Sequence, residues 1–294
     1  MTKTVWVFPG QGSQTIGMGA DLADHDLAKG RFAEADEILG WSVLDVCQGE
    51  TELLSQTLYT QPCLYVIECI LSDLLKALGH QPALVAGHSL GEYSALYAAG
   101  VFDFAAGLKL VKRRAELMSE SADGAMAALM GFKRDELDAK IAATEGAVLA
   151  NDNNPGQVVI SGTPEAVETV MNAVKSKRAV KLDVSGAFHS PLMADASTAF
   201  ETVLSGVEFQ TAQVPVMSNV DPAPSIDSPA LKARLTQQMT GSVRWREISL
   251  RLPEEGVDTV VEVGPGKVLT GLIKRTCKGL TLKNVGTVEQ VEAL

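Results

Sequence analysis

Apolar and polar positions change period several times along the chain, and each change marks an element. Residues 4–8 (TVWVF) are an apolar run that reads as a buried strand. It stops at Pro9-Gly10-Gln11-Gly12-Ser13-Gln14, too rich in glycine to continue as helix or strand. Over residues 60–78, Leu64, Ile67, Leu71, Leu74 and Leu78 recur at helical spacing. Thr60 suits the cap of that helix, Pro62 its first turn, and Gly79 the position just past its end. A second apolar run, ALVA at 83–86, leads directly into GHSLG at 87–91. Helices are predicted after it over 92–99 and 104–121.

The middle of the chain has a different order. A strand at 126–130 and a helix at 133–144 are followed by strands at 147–150 and 157–161, joined by a turn at 151–156. Thr163 caps a helix that begins at Pro164 and runs to about 175, and 179–184 reads as a strand. That succession is β-α-β-β-α-β, the ferredoxin-like pattern. Alternation then resumes. Helices are predicted at 192–204, 230–239, 244–252 and 268–278, with strands at 214–218, 259–263 and 281–285. The expected architecture is α/β. A large domain, residues 1–125 and 191–294, carries a mostly parallel sheet covered by helices on both faces, and a small domain, residues 126–190, is inserted into it.

Composition narrows the function. The 294 residues suffice for a sizeable core, and 46% hydrophobic with 21% charged is ordinary for a soluble enzyme. A net charge of −11 argues against nucleic-acid partners and anionic membranes, which call for a basic surface. No apolar run reaches the roughly 18 residues that span a bilayer, and no signal peptide is visible, so a cytoplasmic protein is expected, or one in an equivalent organelle compartment after loss of a targeting peptide. Cys47, Cys63, Cys69 and Cys277 form no C-x-x-C pair, which suggests neither a zinc site nor a disulfide framework.

The candidate chemistry starts at Ser89. In a nucleophile elbow a strand meets a helix through a turn so tight that small residues are needed two before and two after the serine, and Gly87 and Gly91 hold those places. The following helix start brings N–H groups and a positive dipole end towards the serine. A serine nucleophile needs a base. Of four histidines, His25 lies in a polar stretch, His80 follows a helix end, and His88 points away from its neighbour at an elbow. His189 remains, at the return from the small domain, where either a base or a packed, hydrogen-bonded histidine would fit. Asp152 and Asp183 lie between Ser89 and His189, but neither falls on a recognisable strand-end loop of the main sheet; a backbone carbonyl would also fix the imidazole tautomer. Arg114 belongs to a basic run, Lys112-Arg113-Arg114, on a helix whose Leu110, Val111 and Leu117 can turn one cation inward.

Taken together, FPGQGSQ at 8–14, GHSLGEYSAL at 87–96, LVKRRAELM at 110–118, NNPGQVVISG at 153–162, SGAFHSPLM at 185–193, SVRW at 242–245 and EVGPGKVLTGL at 262–272 resemble the malonyl-CoA:acyl carrier protein transacylases of fatty acid synthesis. More broadly they resemble the acyltransferase domains of polyketide synthases. The motifs occur in the family's order over nearly the whole chain. The resemblance implies an α/β-hydrolase-like large domain with a ferredoxin-like insert. It implies transfer of malonyl from malonyl-CoA to the phosphopantetheine thiol of acyl carrier protein through a malonyl-serine, with no metal and no other cofactor. The alternative is a discrete acyltransferase serving a polyketide synthase. By the same resemblance Ser89 is the nucleophile and His189 the base. The N–H groups of Gln11 and Leu90 form the oxyanion hole, Arg114 holds the malonyl carboxylate, and the Gln238 carbonyl orients the histidine. Phe188 would wall the acyl pocket against an α-methyl group. Ser242 departs from the proline more usual before Val-Arg-Trp, which bears on the backbone near Gln238. A monomer is expected. Because carrier proteins are acidic, docking would use local basic clusters: Lys175, Lys177 and Arg178, and Lys267, Lys274, Arg275 and Lys278.

Overall fold

The computed structural model describes residues 3–121, 124–184 and 186–294; Ser185, the first residue of the SGAFHSPLM motif, lies outside them. Strands β1 (Thr4–Phe8), β2 (Leu84–Gly87), β7 (Val216–Met217), β8 (Thr259–Val263) and β9 (Thr281–Val285) form a parallel sheet in the order β7-β2-β1-β8-β9. Strands β3 (Ala125–Phe132), β4 (Ala147–Asn154), β5 (Gln157–Gly162) and β6 (Ser176–Lys181) form a separate antiparallel sheet in the order β4-β5-β3-β6. With helices α7 (Arg134–Ala142) and α8 (Pro164–Ala173), that order is the ferredoxin-like arrangement.

Helices α1 (Asp26–Leu39), α2 (Val43–Gln48), α3 (Thr51–Leu54), α4 (Thr57–Ala77), α5 (Gly91–Ala98) and α6 (Phe104–Glu120) precede the small sheet; α9 (Ala194–Ser205), α10 (Ser228–Gln237), α11 (Trp245–Glu254), α12 (Val268–Thr276) and α13 (Val288–Glu292) follow it. The period of two in β1 shows how the parallel sheet is packed. Trp6 and Phe8 enter the large cluster with α4, α5 and α6, whereas Val5 and Val7 enter the opposite cluster with Trp245, Ile248, Leu269 and Ile273. Both faces are therefore covered, as a parallel sheet requires.

Several boundaries differ from those the sequence predicts. The α4 helix begins at Thr57 and carries Pro62 inside it; the Thr60 hydroxyl is no cap, since it donates to the carbonyls of Leu54 and Gln56. The turn predicted at 151–156 is largely strand, because β4 runs on to Asn154 with two register shifts and Asn151 bridges Val243. The last small-sheet strand lies at Ser176–Lys181, three residues before the predicted one: Met130 of β3 pairs with Arg178, and the edge position lets Lys177 and Arg178 stay in solvent. The sequence pattern did not reveal α1, α2, α3 or α13. By contrast, Thr163 caps α8 from its side chain and Pro164 takes the first helical position, as predicted.

Candidate active site

The carboxyl ends of the parallel strands carry the polar residues, the usual place for a site in an open α/β sheet. Past β1 lies Gln11, past β2 lies Ser89, and past β7 lies Asn219. Ser89 has φ +53°, in the left-handed region a side chain rarely adopts. The elbow geometry explains its neighbours. A Cβ on Gly87 would collide with the backbone of Gly91, and one on Gly91 with the carbonyl of Phe8.

Ser89 Oγ lies 2.8 Å from His189 Nε2. His189 Nδ1 faces two carbonyl oxygens, Gln238 at 2.9 Å and Gly241 at 3.1 Å. Carbonyls only accept, so Nδ1 carries the proton and Nε2 is left as an acceptor for the serine hydroxyl. Burial, reinforced by the nearby Arg114 charge, pushes the imidazole down to about 3, so it stays neutral and able to take a proton across the physiological range. His189 too has positive φ, +56°. His88 is turned elsewhere: its Nε2 meets Asn153 Oδ1 at 2.8 Å and its ring packs edge-on against Trp245.

Arg114 is 1% exposed. Nη1 donates to Gln61 Oε1 at 2.7 Å, and Nη2 donates to Ser89 Oγ at 3.0 Å and Gln238 Oε1 at 3.2 Å. Nε has no partner among the described residues, and the guanidinium lies 5.5 Å from the ring centre of Tyr93. Burial pulls its pKa down from the usual arginine value. The α6 helix that carries it is capped by Asp103, whose carboxylate accepts from Ala106 N–H at 2.7 Å.

Neither the Gln11 nor the Leu90 backbone N–H has an acceptor among the described residues, while the Gln11 side chain donates to Thr57 Oγ1. Leu90 is the N-cap position of α5 and is 1% exposed. Phe188 is buried in the large core cluster. Ser242 leaves the Gln238 carbonyl on the histidine, and its hydroxyl donates to Ala150 O at 3.2 Å. Beside the elbow a cavity of about 470 Å³ runs between the 10–14 loop with His88 on one side and Asn151, Asn153 and Val159 of the small sheet on the other.

Three site residues escape the sequence reading: Gln61, Glu92 and Asn219. Glu92 carried a signal, a buried acid in the first turn of an alanine-rich apolar helix. Asn219 sits two residues past a strand of the parallel sheet, a position whose meaning depends on that strand being recognised.

The serine, histidine and arginine sit in a fold that matches known proteins along its full length. The acyl transferase domain family matches residues 5–292. The malonyl CoA-acyl carrier protein transacylase of Synechocystis sp. is 58% identical over 292 residues, 99% of this chain and 100% of the relative. The crystal structure of the Synechocystis malonyl-CoA:ACP transacylase superposes with a TM-score of 0.98 at 57% identity, covering 100% of both chains. A malonyl-transacylase in complex with a type II polyketide synthase acyl-carrier protein superposes with a TM-score of 0.95 at 38% identity, over 99% of this chain and 98% of that one. On this agreement of sequence, fold and length, the chain is a member of the acyl transferase family, in its malonyl-CoA:acyl carrier protein transacylase branch.

Proposed function

We propose that the protein transfers malonyl from malonyl-CoA to the phosphopantetheine thiol of acyl carrier protein, supplying malonyl carrier protein for fatty acid synthesis. The observation that carries the reading is the position of Ser89 Oγ, 2.8 Å from a neutral histidine acceptor and 3.0 Å from a buried guanidinium.

In the first half-reaction His189 Nε2 takes the Ser89 proton as Oγ attacks the thioester carbonyl. The N–H groups of Gln11 and Leu90 receive the oxyanion, an interaction worth about 3 kcal/mol per donor. The C–S bond breaks, the imidazolium returns its proton to the CoA thiolate, and a malonyl-Ser89 ester remains. In the second half His189 takes the proton of the carrier thiol, which attacks the ester; Ser89 recovers its hydrogen as the C–O bond breaks. Once Oγ is esterified, Arg114 Nη2 is free to turn to the malonyl carboxylate. A guanidinium offers the two parallel hydrogen bonds that lysine cannot. Phe188 would close the pocket against an α-methyl substituent. These steps need neither a metal nor a redox cofactor. The reading is of a cytoplasmic monomer, with residues 126–190 as a small domain inserted in the large one.

A role in polyketide assembly is less well supported. Relatives named for polyketide biosynthesis are 41% and 43% identical, against 58% for the Synechocystis transacylase. Intact-protein mass spectrometry after brief exposure to malonyl-CoA tests the assignment. One malonyl group should appear on the wild type and none on Ser89→Ala. Malonylation of a folded Ser89→Ala variant would refute it.

A further inference from the structure

The backbone of Ser89 is held in its left-handed conformation by side chains remote in sequence. Asn219 accepts the Ser89 N–H on Oδ1 at 2.7 Å and donates from Nδ2 to Gly87 O at 2.5 Å, so a single amide bridges both sides of the elbow. Sheet register explains its position: β7 is the parallel neighbour of β2, with Val85 opposite Val216 and Ala86 opposite Met217. Two residues further on, Asn219 stands alongside the turn. On the other side Gln238 Nε2 donates to Ser89 O at 2.9 Å.

Glu92 ties these two amides together. Its Oε2 accepts from the Asn219 backbone N–H at 3.1 Å and from Gln238 Nε2 at 2.7 Å. It is 1% exposed, and its Oε1 has no partner among the described residues. Because Oε2 faces two N–H donors, it dictates which way the Gln238 amide points: Nε2 towards Glu92 and Ser89 O, and Oε1 towards Arg114 Nη2. The main-chain carbonyl of the same Gln238 holds His189 Nδ1. Serine, histidine and arginine are thus all registered to one another through Gln238, and Gln238 is registered by Glu92.

We infer that Asn219 and Glu92 are positioning residues for acyl transfer. Asn219 holds the strained serine so that Oγ meets His189, and Glu92 sets the Gln238 amide that aligns histidine and arginine. Neither touches the acyl group. Their loss therefore lowers the reactivity of Ser89 towards any electrophile to a similar degree, whereas loss of Arg114 lowers it most towards carboxylated ones. The inference rests on Ser89 being the nucleophile.

The test compares Ser89 acylation by malonyl-CoA with Ser89 sulfonylation by phenylmethylsulfonyl fluoride, an uncharged reagent. Both rates are measured on wild type, Asn219→Ala, Glu92→Gln and Arg114→Ala, alongside thermal unfolding. Asn219→Ala should slow both reactions at least 30-fold while the KM for malonyl-CoA stays within about threefold. Glu92→Gln, which keeps size and hydrogen-bond number, should slow both at least fivefold. Arg114→Ala should slow malonylation at least tenfold more than sulfonylation. Should Asn219→Ala fail to fold, Glu92→Gln decides. Wild-type sulfonylation rates in folded Asn219→Ala or in Glu92→Gln would overturn the inference. A wild-type enzyme that takes neither label at Ser89 would instead overturn the assignment of the nucleophile.

Discussion

Arg114 donates to Ser89 Oγ over 3.0 Å, and its other acceptors among the described residues, Gln61 and Gln238, are uncharged amides. A buried guanidinium without a carboxylate bonded to it is expensive to maintain. The arrangement makes sense where a substrate brings the carboxylate.

Arg114→Ala should therefore lower kcat/KM for malonyl-CoA while acetyl-CoA transfer is retained or improved. Loss of a buried charged pair costs about 2–5 kcal/mol, so the malonyl-over-acetyl preference should fall by more than about tenfold. Steady-state kinetics with both thioesters decides. An equal loss for both would assign Arg114 to the support of the fold.

His189 predicts an unusual pH response. The folded imidazole titrates at about 3, whereas an unfolded histidine titrates near its ordinary value of about 6.5. Between those values the unfolded chain binds the extra proton, so stability falls as pH falls through the window and is fully present above about 6.5. The contribution of this group amounts to about 2 kcal/mol between pH 6.5 and pH 4.5. The stability advantage of wild type over His189→Gln should shrink by that amount in denaturant titrations. The rate of Ser89 acylation should likewise show no step near pH 6.5; a step there would mean a solvated imidazole.

The elbow glycines are a steric test. Gly91→Ala would drive a methyl group into the Phe8 carbonyl, and backbone cannot yield as a flexible side chain can. Overpacking of this kind costs about 3 kcal/mol. Chemical denaturation should show at least that loss, together with loss of acylation. A stable, active Gly91→Ala would mean that the 87–91 turn is looser than the structure makes it.

What could be read in advance follows from the range of each signal. The elbow around Ser89 is local, so its strand, glycines and helix appear in one short stretch. His189 emerged by elimination among four histidines and by the motif around it. Asn219 and Gln61 are different. Their roles depend on β7 lying beside β2 and on α4 packing against α6, facts of topology that no window of sequence contains. The same holds for β4, where Asn151 and Asp152 read as turn residues until Val243 bridges the strand, accepting from Asp152 N–H and donating to Ala150 O. It holds for β6, where Lys177 and Arg178 fall between the predicted helix and strand until β3 pairs with that segment.

Those two cations lead to the last prediction, the docking of carrier protein. An acidic carrier meets a chain of net charge −11, so overall charge opposes encounter and a local basic surface must favour it. Lys175, Lys177 and Arg178 are exposed on and before β6, whose continuation through Leu182, Asp183 and Val184 lines the cavity beside the elbow. Lys267, Lys274, Arg275 and Lys278 are exposed on and around α12, whose Val268, Leu269 and Leu272 line the same cavity. The cavity is thus lined by two segments that each carry a basic cluster, and an acidic partner presenting its thiol there would meet both. Reversing two charges in one cluster, Lys177→Glu with Arg178→Glu or Lys274→Glu with Arg275→Glu, should raise the KM for carrier protein and flatten its dependence on salt. Hydrolysis of malonyl-CoA without carrier should be unchanged, since neither cluster touches Ser89. Carrier kinetics unaltered in both reversal variants would remove this surface from the docking reaction and leave the serine, histidine and arginine assignments as they stand.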